Sequence, residues 1–201
     1  MRAFRRHRGV VNCEFEDAEL DLLQGLLSQL IELLLADLPG GNGPGTQRLV
    51  PASSNDDVFV RLEREMNFYG GEYFADEPTL DPVLQRLFPD PYPHDPAASH
   101  DFHRFTRAAQ LDDKVAAARA MLGDLQSVLD GGYCSIPQSH VTAWLKTLTN
   151  VRLALAVRMN ISDAEDAERV AELPDDDPRS WLYSIYEWLG WVQESLLVAQ
   201  E

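Results

Sequence analysis

The sequence predicts a mainly α-helical fold, a helical bundle with a small N-terminal β-hairpin. Apolar residues recur at spacings of three and four along several long stretches, which is the pattern of amphipathic helices. Clear alternation of apolar and polar residues is confined to the first fifteen residues, where it indicates strands. With 201 residues, 45% of them hydrophobic, the chain can bury one substantial core. We therefore predict a single domain over residues 1–201.

Residues 1–15 are predicted to form the hairpin. A tight turn at Arg8 and Gly9 would place Arg6 opposite Val11. A two-stranded ribbon is not stable alone in water, so its apolar face has to rest on helices. The side chains predicted on that face are Phe4, which would lie opposite Cys13, together with Val11, Cys13 and Phe15.

A long helix is predicted next, over residues 16–38, and its many leucines indicate burial on more than one side. Residues 39–55 are rich in glycine and proline and are predicted to be a flexible loop. The rest of the bundle, residues 56–201, is expected to begin with a short helix at 56–66 and a helical turn or two from Pro82 to Phe88.

Three strong helices are predicted in the second half of the chain. The first carries an apolar stripe from Ala108 to Leu129. The second is expected to begin at Pro137, because proline is favoured at the first helical position, and to run to about Met159. The third is expected to begin at Pro178, with an inward stripe of Trp181, Ile185, Trp188, Val192 and Leu196.

Two arginines of the second helix stand out from an apolar surrounding. An acidic stretch separates the second and third helices and is predicted to form a short helix of its own. We expect Arg152 and Arg158 to pair with acids at 163–172, as buried ion pairs of this kind often fix geometry.

Charge is distributed unevenly along the chain. The net charge is -16, with 33 acidic residues against 17 basic ones, yet four arginines lie within the first ten residues. An acidic body repels phosphate backbones and anionic membranes and suits basic surfaces on protein partners. We expect no strong DNA binding by the protein alone and no membrane association. The candidate contacts to a partner or to nucleic acid are Arg5, Arg6 and Arg8.

No catalytic motif is present. The sequence lacks the phosphate-binding, dinucleotide-binding, nucleophile-elbow and paired-cysteine patterns, so we expect no enzyme activity, no catalytic residue and no cofactor. Two histidines spaced by three, His100 and His103, leave open a metal protein or an enzyme as an alternative. Glu187 and Glu194 lie on one stripe of a helix beside tryptophans, which fits a core or a partner surface better than a pair of catalytic acids.

Cys13 and Cys134 are the two thiols of the chain. Cys13 shares the apolar face of the predicted hairpin, where it would act as a small hydrophobic residue. Cys134 is placed in a loop just before a helix N-terminus, a position that favours thiolate reactivity. The sequence leaves open whether the two thiols meet. Two cysteines without metal-ligand spacing, no signal-peptide pattern and no spanning apolar segment point to the cytoplasm.

Four stretches occur in order along the chain: FYGGEYFADEPTLDPVLQRLFPDPY, KVAAARAML, AWLKTLTNVRLALAVRMNI and YEWLGWVQESL. Together they resemble the actinobacterial AosR family of oxidative-stress transcriptional regulators, formerly a domain of unknown function. The resemblance implies a cytoplasmic regulator that responds to oxidants and acts through an alternative sigma factor or RNA polymerase. It makes Cys13 and Cys134 redox candidates, although redox switching is easiest with a closely spaced cysteine pair, which this chain lacks.

The alternative is a helical interaction module that is not catalytic and does not sense oxidants. The last helix supports self-association, because Trp181, Trp188 and Trp191 do not fit on one inward stripe. Together with Leu197 and Val198 they give this helix apolar surface around much of its circumference. We therefore expect a homodimer through this helix.

Overall fold

The computed structural model describes residues 1–37, 81–128 and 132–201. Within these ranges, six α-helices and one small antiparallel sheet enclose an apolar core, so the mainly α-helical class is confirmed. The predicted loop at 39–55 and the helix at 56–66 lie outside the described residues. The helices are α1 (Asp17–Ala36), α2 (Pro82–Leu87), α3 (Pro96–Gln126), α4 (Val141–Arg158), α5 (Ala164–Ala171) and α6 (Pro178–Val198), and the strands are β1 (Arg2–His7), β2 (Val10–Glu14) and β3 (Tyr133–Pro137).

The hairpin of β1 and β2 turns at Arg8 and Gly9, as predicted. Both residues have positive φ angles, 53° and 80°, which is the conformation of a tight hairpin turn whose twist matches the strands. Arg6 pairs with Val11, also as predicted. The register then shifts between Arg5 and Arg2, so the predicted direct pairing of Phe4 with Cys13 falls at an irregularity of the ladder.

The third strand was not predicted. Residues 133–137 were interpreted as a loop and the start of a helix, but they form β3, which pairs with β2 in the order β1-β2-β3. Pro137 ends this strand and a 3-10 turn over Gln138–His140 follows, so the predicted helix start at Pro137 is wrong and α4 begins at Val141.

Gly132 lets β3 approach the end of β2. Its φ of 71° lies in the left-handed region, and a Cβ there would overlap the carbonyl oxygen of Phe15. The Phe15 backbone N–H donates to the Gly132 carbonyl oxygen at 2.8 Å. The glycine therefore permits the backbone contact at which the β2–β3 ladder begins.

Three helices begin with the same capping motif, an aspartate at the N-cap followed by proline. The side chains of Asp81, Asp95 and Asp177 accept hydrogen bonds from backbone N–H groups of the first turn at 2.8, 3.0 and 2.9 Å. The start of α6 at Pro178 is therefore confirmed. Helix α3 begins earlier than its apolar stripe suggested, because the last proline of the preceding proline-rich stretch takes its first position.

The inward face of α6 is confirmed at Ile185, Val192 and Leu196 but differs from the prediction at the two tryptophans. Its buried residues are Leu182, Ile185, Leu189, Val192 and Leu196, whereas Trp181 is 49% exposed and Trp188 is half-buried. The inward placement of Trp181 is wrong because the leucine one position later occupies the core. Among the described residues, no helix is both long and apolar enough to cross a membrane.

Arg152 and Arg158 also pair differently from the prediction. Arg158 forms an ion pair with Asp81, the residue that caps α2, at 3.1 Å. Arg152 lies against α6 and donates to the side-chain oxygen of Gln193. Neither arginine pairs with the described acids at 163–172, because both point toward other helices instead of along the chain to α5.

Candidate functional site at the cysteine pair

The sheet brings the two cysteines directly opposite each other. Cys13 of β2 pairs with Cys134 of β3 in the antiparallel register. Phe15 donates a backbone hydrogen bond to Gly132, so these two residues form a hydrogen-bonded pair of the antiparallel ladder. Hydrogen-bonded pairs recur every two residues along such a ladder, and Cys13 and Cys134 therefore form the next hydrogen-bonded pair. The Cα atoms of such a pair are typically about 5.5 Å apart, within the range that a disulfide spans. Both cysteines are free thiols in this structure.

Both thiols lie on the core face of the sheet. Cys13 is 4% and Cys134 1% exposed. Beside them an aromatic cluster fixes the sheet on the helices: Phe4 of β1 and Phe15, which follows β2, pack on Trp144 of α4 at centroid distances of 6.0 and 6.4 Å. The predicted buried face of the hairpin is therefore found, and Cys134 is a strand residue in the core, not a residue of an exposed loop.

The environment keeps the Cys13 thiol protonated. Burial raises the pKa of Cys13 far above its ordinary value, and the hydrogen bond with Cys134 and the charges of Cys134 and Glu19 raise it further. The thiolate is the form that attacks oxidants, so the docked hairpin holds Cys13 in its unreactive form. Because both cysteine side chains are buried, water and oxidant reach the pair only through an opening of the structure.

A hydrogen-bonded cluster that the sequence did not reveal anchors Trp144. Its indole N–H donates to Asp124 Oδ2 at 2.8 Å, and His140 Nδ1 lies 3.0 Å from the same carboxylate. The cluster ties the end of α3 to the start of α4 beneath the sheet. The spacing of four between His140 and Trp144 places them on neighbouring turns, but nothing local to the sequence points to Asp124.

The arginine candidates lie on the exposed part of the same hairpin. Arg5 and Arg8 are exposed and make no ion pair within the described ranges. Arg6 is exposed and donates weakly, at 3.4 Å, to the backbone oxygen of Gln200 just beyond α6. The hairpin therefore carries a thiol on its buried face and free positive charges at its surface, so a change in how it docks would alter both.

The described structure does not arrange His100 and His103 as ligands of one metal ion. His103 Nε2 lies 2.9 Å from Asp90, and His100 is exposed beside Asp101 at 3.9 Å. In the described part of the chain, no three His, Cys, Asp or Glu side chains are grouped as metal ligands would be.

The last helix exposes large apolar side chains, as its tryptophan pattern indicated. Trp191 is 43% exposed, and Trp181, Leu197 and Val198 are 49 to 61% exposed. This surface is available for a partner, and the homodimer stays a prediction.

Comparison with known proteins adds a family and three curated relatives. The model of a family described as "Domain of unknown function (DUF2017)" matches residues 1–200. Proteins of Mycobacterium bovis and Mycobacterium tuberculosis named "Oxidative stress regulator AosR" are each 30% identical over 131 residues, 59% of this chain and 57% of theirs. A Mycobacterium leprae relative is 32% identical over 132 residues, 59% of this chain and 58% of its own. The chain thus spans less than three fifths of these relatives, and no solved structure gives a significant match.

Proposed function

Because the chain belongs to the DUF2017 family and is similar to proteins named oxidative stress regulators, we propose that it regulates the response to oxidative stress, with Cys13 and Cys134 as its redox sensor. The observation that carries the proposal is the direct pairing of the two cysteines across β2 and β3. Residues about 120 positions apart in the sequence thus share one buried site.

The sensing step is a two-electron oxidation of the pair by a peroxide. One thiolate attacks the peroxide, its sulfur becomes a sulfenic acid and one water or alcohol leaves. The second thiol then attacks the sulfenic sulfur, the disulfide forms and a water leaves. The two sulfurs supply both electrons, so no cofactor or catalytic residue is required.

Access to the pair comes from undocking of the hairpin. β1 is an edge strand of the described sheet and is held to α6 by the hydrogen bond from Phe4 N to Ser195 Oγ at 2.9 Å. An element at the edge of a sheet opens at lower free energy than the core of a fold. Re-docking after oxidation allows the disulfide to fasten the hairpin to β3.

The output is a change in protein contacts with the transcription machinery. The fastened hairpin presents Arg5, Arg6 and Arg8 in a fixed geometry, whereas the reduced hairpin can undock. The acidic body suits a basic surface, and we propose an alternative sigma factor or RNA polymerase as the partner. The proposed compartment is the cytoplasm, where thiols are kept reduced until oxidant appears.

The test is binding to RNA polymerase, with and without an alternative sigma factor, by the peroxide-oxidised and the reduced protein. We expect binding that depends on the redox state and that is lost when Arg5, Arg6 and Arg8 are replaced by glutamine. The Cys13→Ser variant is the matched control and should bind identically under both conditions. Tight, sequence-selective DNA binding by the protein alone, or binding that ignores the redox state, would contradict the proposal.

An interaction module without redox sensing is the second candidate, favoured by the burial of both thiols and by the exposed tryptophans of α6. In that case α6 forms an isologous homodimer and the thiols serve packing alone. Light scattering separates the two: the module requires a dimer that is lost in a Trp191→Glu, Val198→Glu variant, independent of peroxide.

A further inference from the structure

Arg152 of α4 is a positive charge without a carboxylate partner. Arg152 forms no ion pair with a described carboxylate, in contrast to five other described arginines, and its Nη1 donates to the neutral side-chain oxygen of Gln193 at 3.3 Å. Its Nε is buried and has no hydrogen-bond partner among the described residues. A buried N–H of a charged group that lacks an acceptor is costly. The charge of Arg152 is therefore not neutralised by a described carboxylate, and the side chain lines two cavities that a ligand can enter.

The guanidinium is held in a fixed position. It lies over the ring of Tyr186, with Cζ 4.5 Å from the centroid. Gly190 leaves room for it, because a Cβ there would come within 3.3 Å of Cζ. The amide of Gln193 is oriented by its own hydrogen bond from Nε2 to Thr149 Oγ1 at 2.8 Å. The arginine is therefore preorganised, which reduces the entropy lost on binding.

A cavity of about 360 Å³ opens beside Arg152, and we name it the Arg152 cavity. Arg86 of α2 supplies a second positive charge to its wall. Apolar side chains form much of the remaining lining. They are Leu153, Ala156, Ile161, Ala164 and Ala167.

Acidic groups restrict which ligand fits. Asp163 also lines the Arg152 cavity, but its carboxylate accepts the N–H of Asp166 at 2.9 Å and caps α5. On the other side of Arg152, a cavity of about 530 Å³ is lined by Glu187 and Glu194, which repel anions. The Arg152 cavity is therefore the favourable side for a negative charge, and a single charge suits it better than a double one.

We propose that the Arg152 cavity binds a small organic monocarboxylate. The planar guanidinium of Arg152 matches a carboxylate, Arg86 adds a second positive charge, and the aliphatic part of the ligand contacts the apolar wall. The site lies between α2, α4, α5 and α6, apart from the cysteine pair, and its occupancy is independent of the proposed redox function.

The probe is sodium 3-methylbutanoate, titrated into 15N-labelled protein and compared with sodium chloride at equal ionic strength. We expect saturable shifts of the amides around residues 152–164, with a dissociation constant on the order of 1 mM. Inorganic phosphate is the comparison anion and should bind at least about tenfold more weakly, because it carries more charge and no apolar part.

Three variants connect the binding to Arg152. Arg152→Gln should weaken binding about tenfold or more, since the charge and the planar donor set are both removed. Arg119→Gln removes the same charge from an exposed position on α3 and should leave the affinity unchanged. Gly190→Ala should weaken binding by displacing the guanidinium, and it gives a second reading should Arg152→Gln fail to fold. No saturable shift in the wild type, equal affinity for phosphate, or equal losses in the Arg152 and Arg119 variants would overturn the proposal.

Discussion

Oxidation of the cysteine pair is expected to stabilise the fold. A bond between Cys13 and Cys134 closes a loop of about 120 residues, which lowers the entropy of the unfolded chain by about 16 cal/mol/K, or about 5 kcal/mol at 25 °C. The pair already faces across the ladder, so the bond needs no new strand pairing. Strain at a hydrogen-bonded strand position reduces the gain, and we expect about 3 kcal/mol. For a domain of this size, that corresponds to a rise in Tm of roughly 6 to 12 °C.

The assay is thermal unfolding of peroxide-treated protein with and without dithiothreitol. Cys13→Ser and Cys134→Ser are the controls, and their Tm should not respond to the reductant. A wild-type Tm that is unchanged or lower after verified disulfide formation would refute the reasoning, because it would mean that the bond distorts the sheet instead of fastening it.

Three further predictions concern the same region. Phe4→Ala should increase the rate of Cys13 alkylation more than Val170→Ala does, a core change in α5 far from the hairpin, when the two variants are compared at equal global stability. Equal rates would mean that the thiols react only through global unfolding. The pKa of Cys13 is raised in the folded state, so the unfolded chain loses this proton at a lower pH than the folded one. The free energy of unfolding should therefore not depend on this thiol below about pH 9.0, its ordinary pKa, and should fall above that pH. Urea unfolding at several pH values should show a less steep fall in the Cys13→Ser variant. Gly132→Ala should destabilise the fold more than Gly9→Ala, because both have positive φ but only the first lacks space for a Cβ; similar midpoints of denaturant unfolding would contradict this.

Local signals in the sequence accounted for much of the fold. The turn at Arg8 and Gly9 was predictable because the strands around it alternate and glycine adopts positive φ readily, whereas the positive φ of Arg8 is uncommon for arginine. The start of α6 was predictable from an Asp-Pro pair. The aspartate side chain accepts a hydrogen bond from a backbone N–H of the first turn, and the proline occupies the first helical position. The same pair precedes α3, where the proline-rich surroundings concealed it.

The third strand was not predictable in the same way. The segment from Tyr133 to Pro137 does alternate exposed and buried residues, but it spans five residues and depends on pairing with β2, far away in the sequence. Its proline also suggested a helix start. Cys13 and Cys134 meet because β2 pairs with β3, so their contact could not be predicted from local sequence patterns.

Side-chain partners across helices were likewise unpredictable. Arg158 reaches Asp81 and Trp144 reaches Asp124 because packing brings different helices together. Trp181 was misplaced because Leu182, its neighbour, fits the same helical period, and periodicity alone cannot choose between adjacent apolar residues.

The most direct test of the central claim is disulfide mapping after oxidation of the folded protein. The reduced protein is treated with a small excess of hydrogen peroxide under native conditions, free thiols are blocked, and a non-reduced digest is examined by mass spectrometry. We predict one cross-linked pair of peptides that contain Cys13 and Cys134, formed within a monomer. Thiols that remain reduced while the protein stays folded, or a link between two chains, would contradict it.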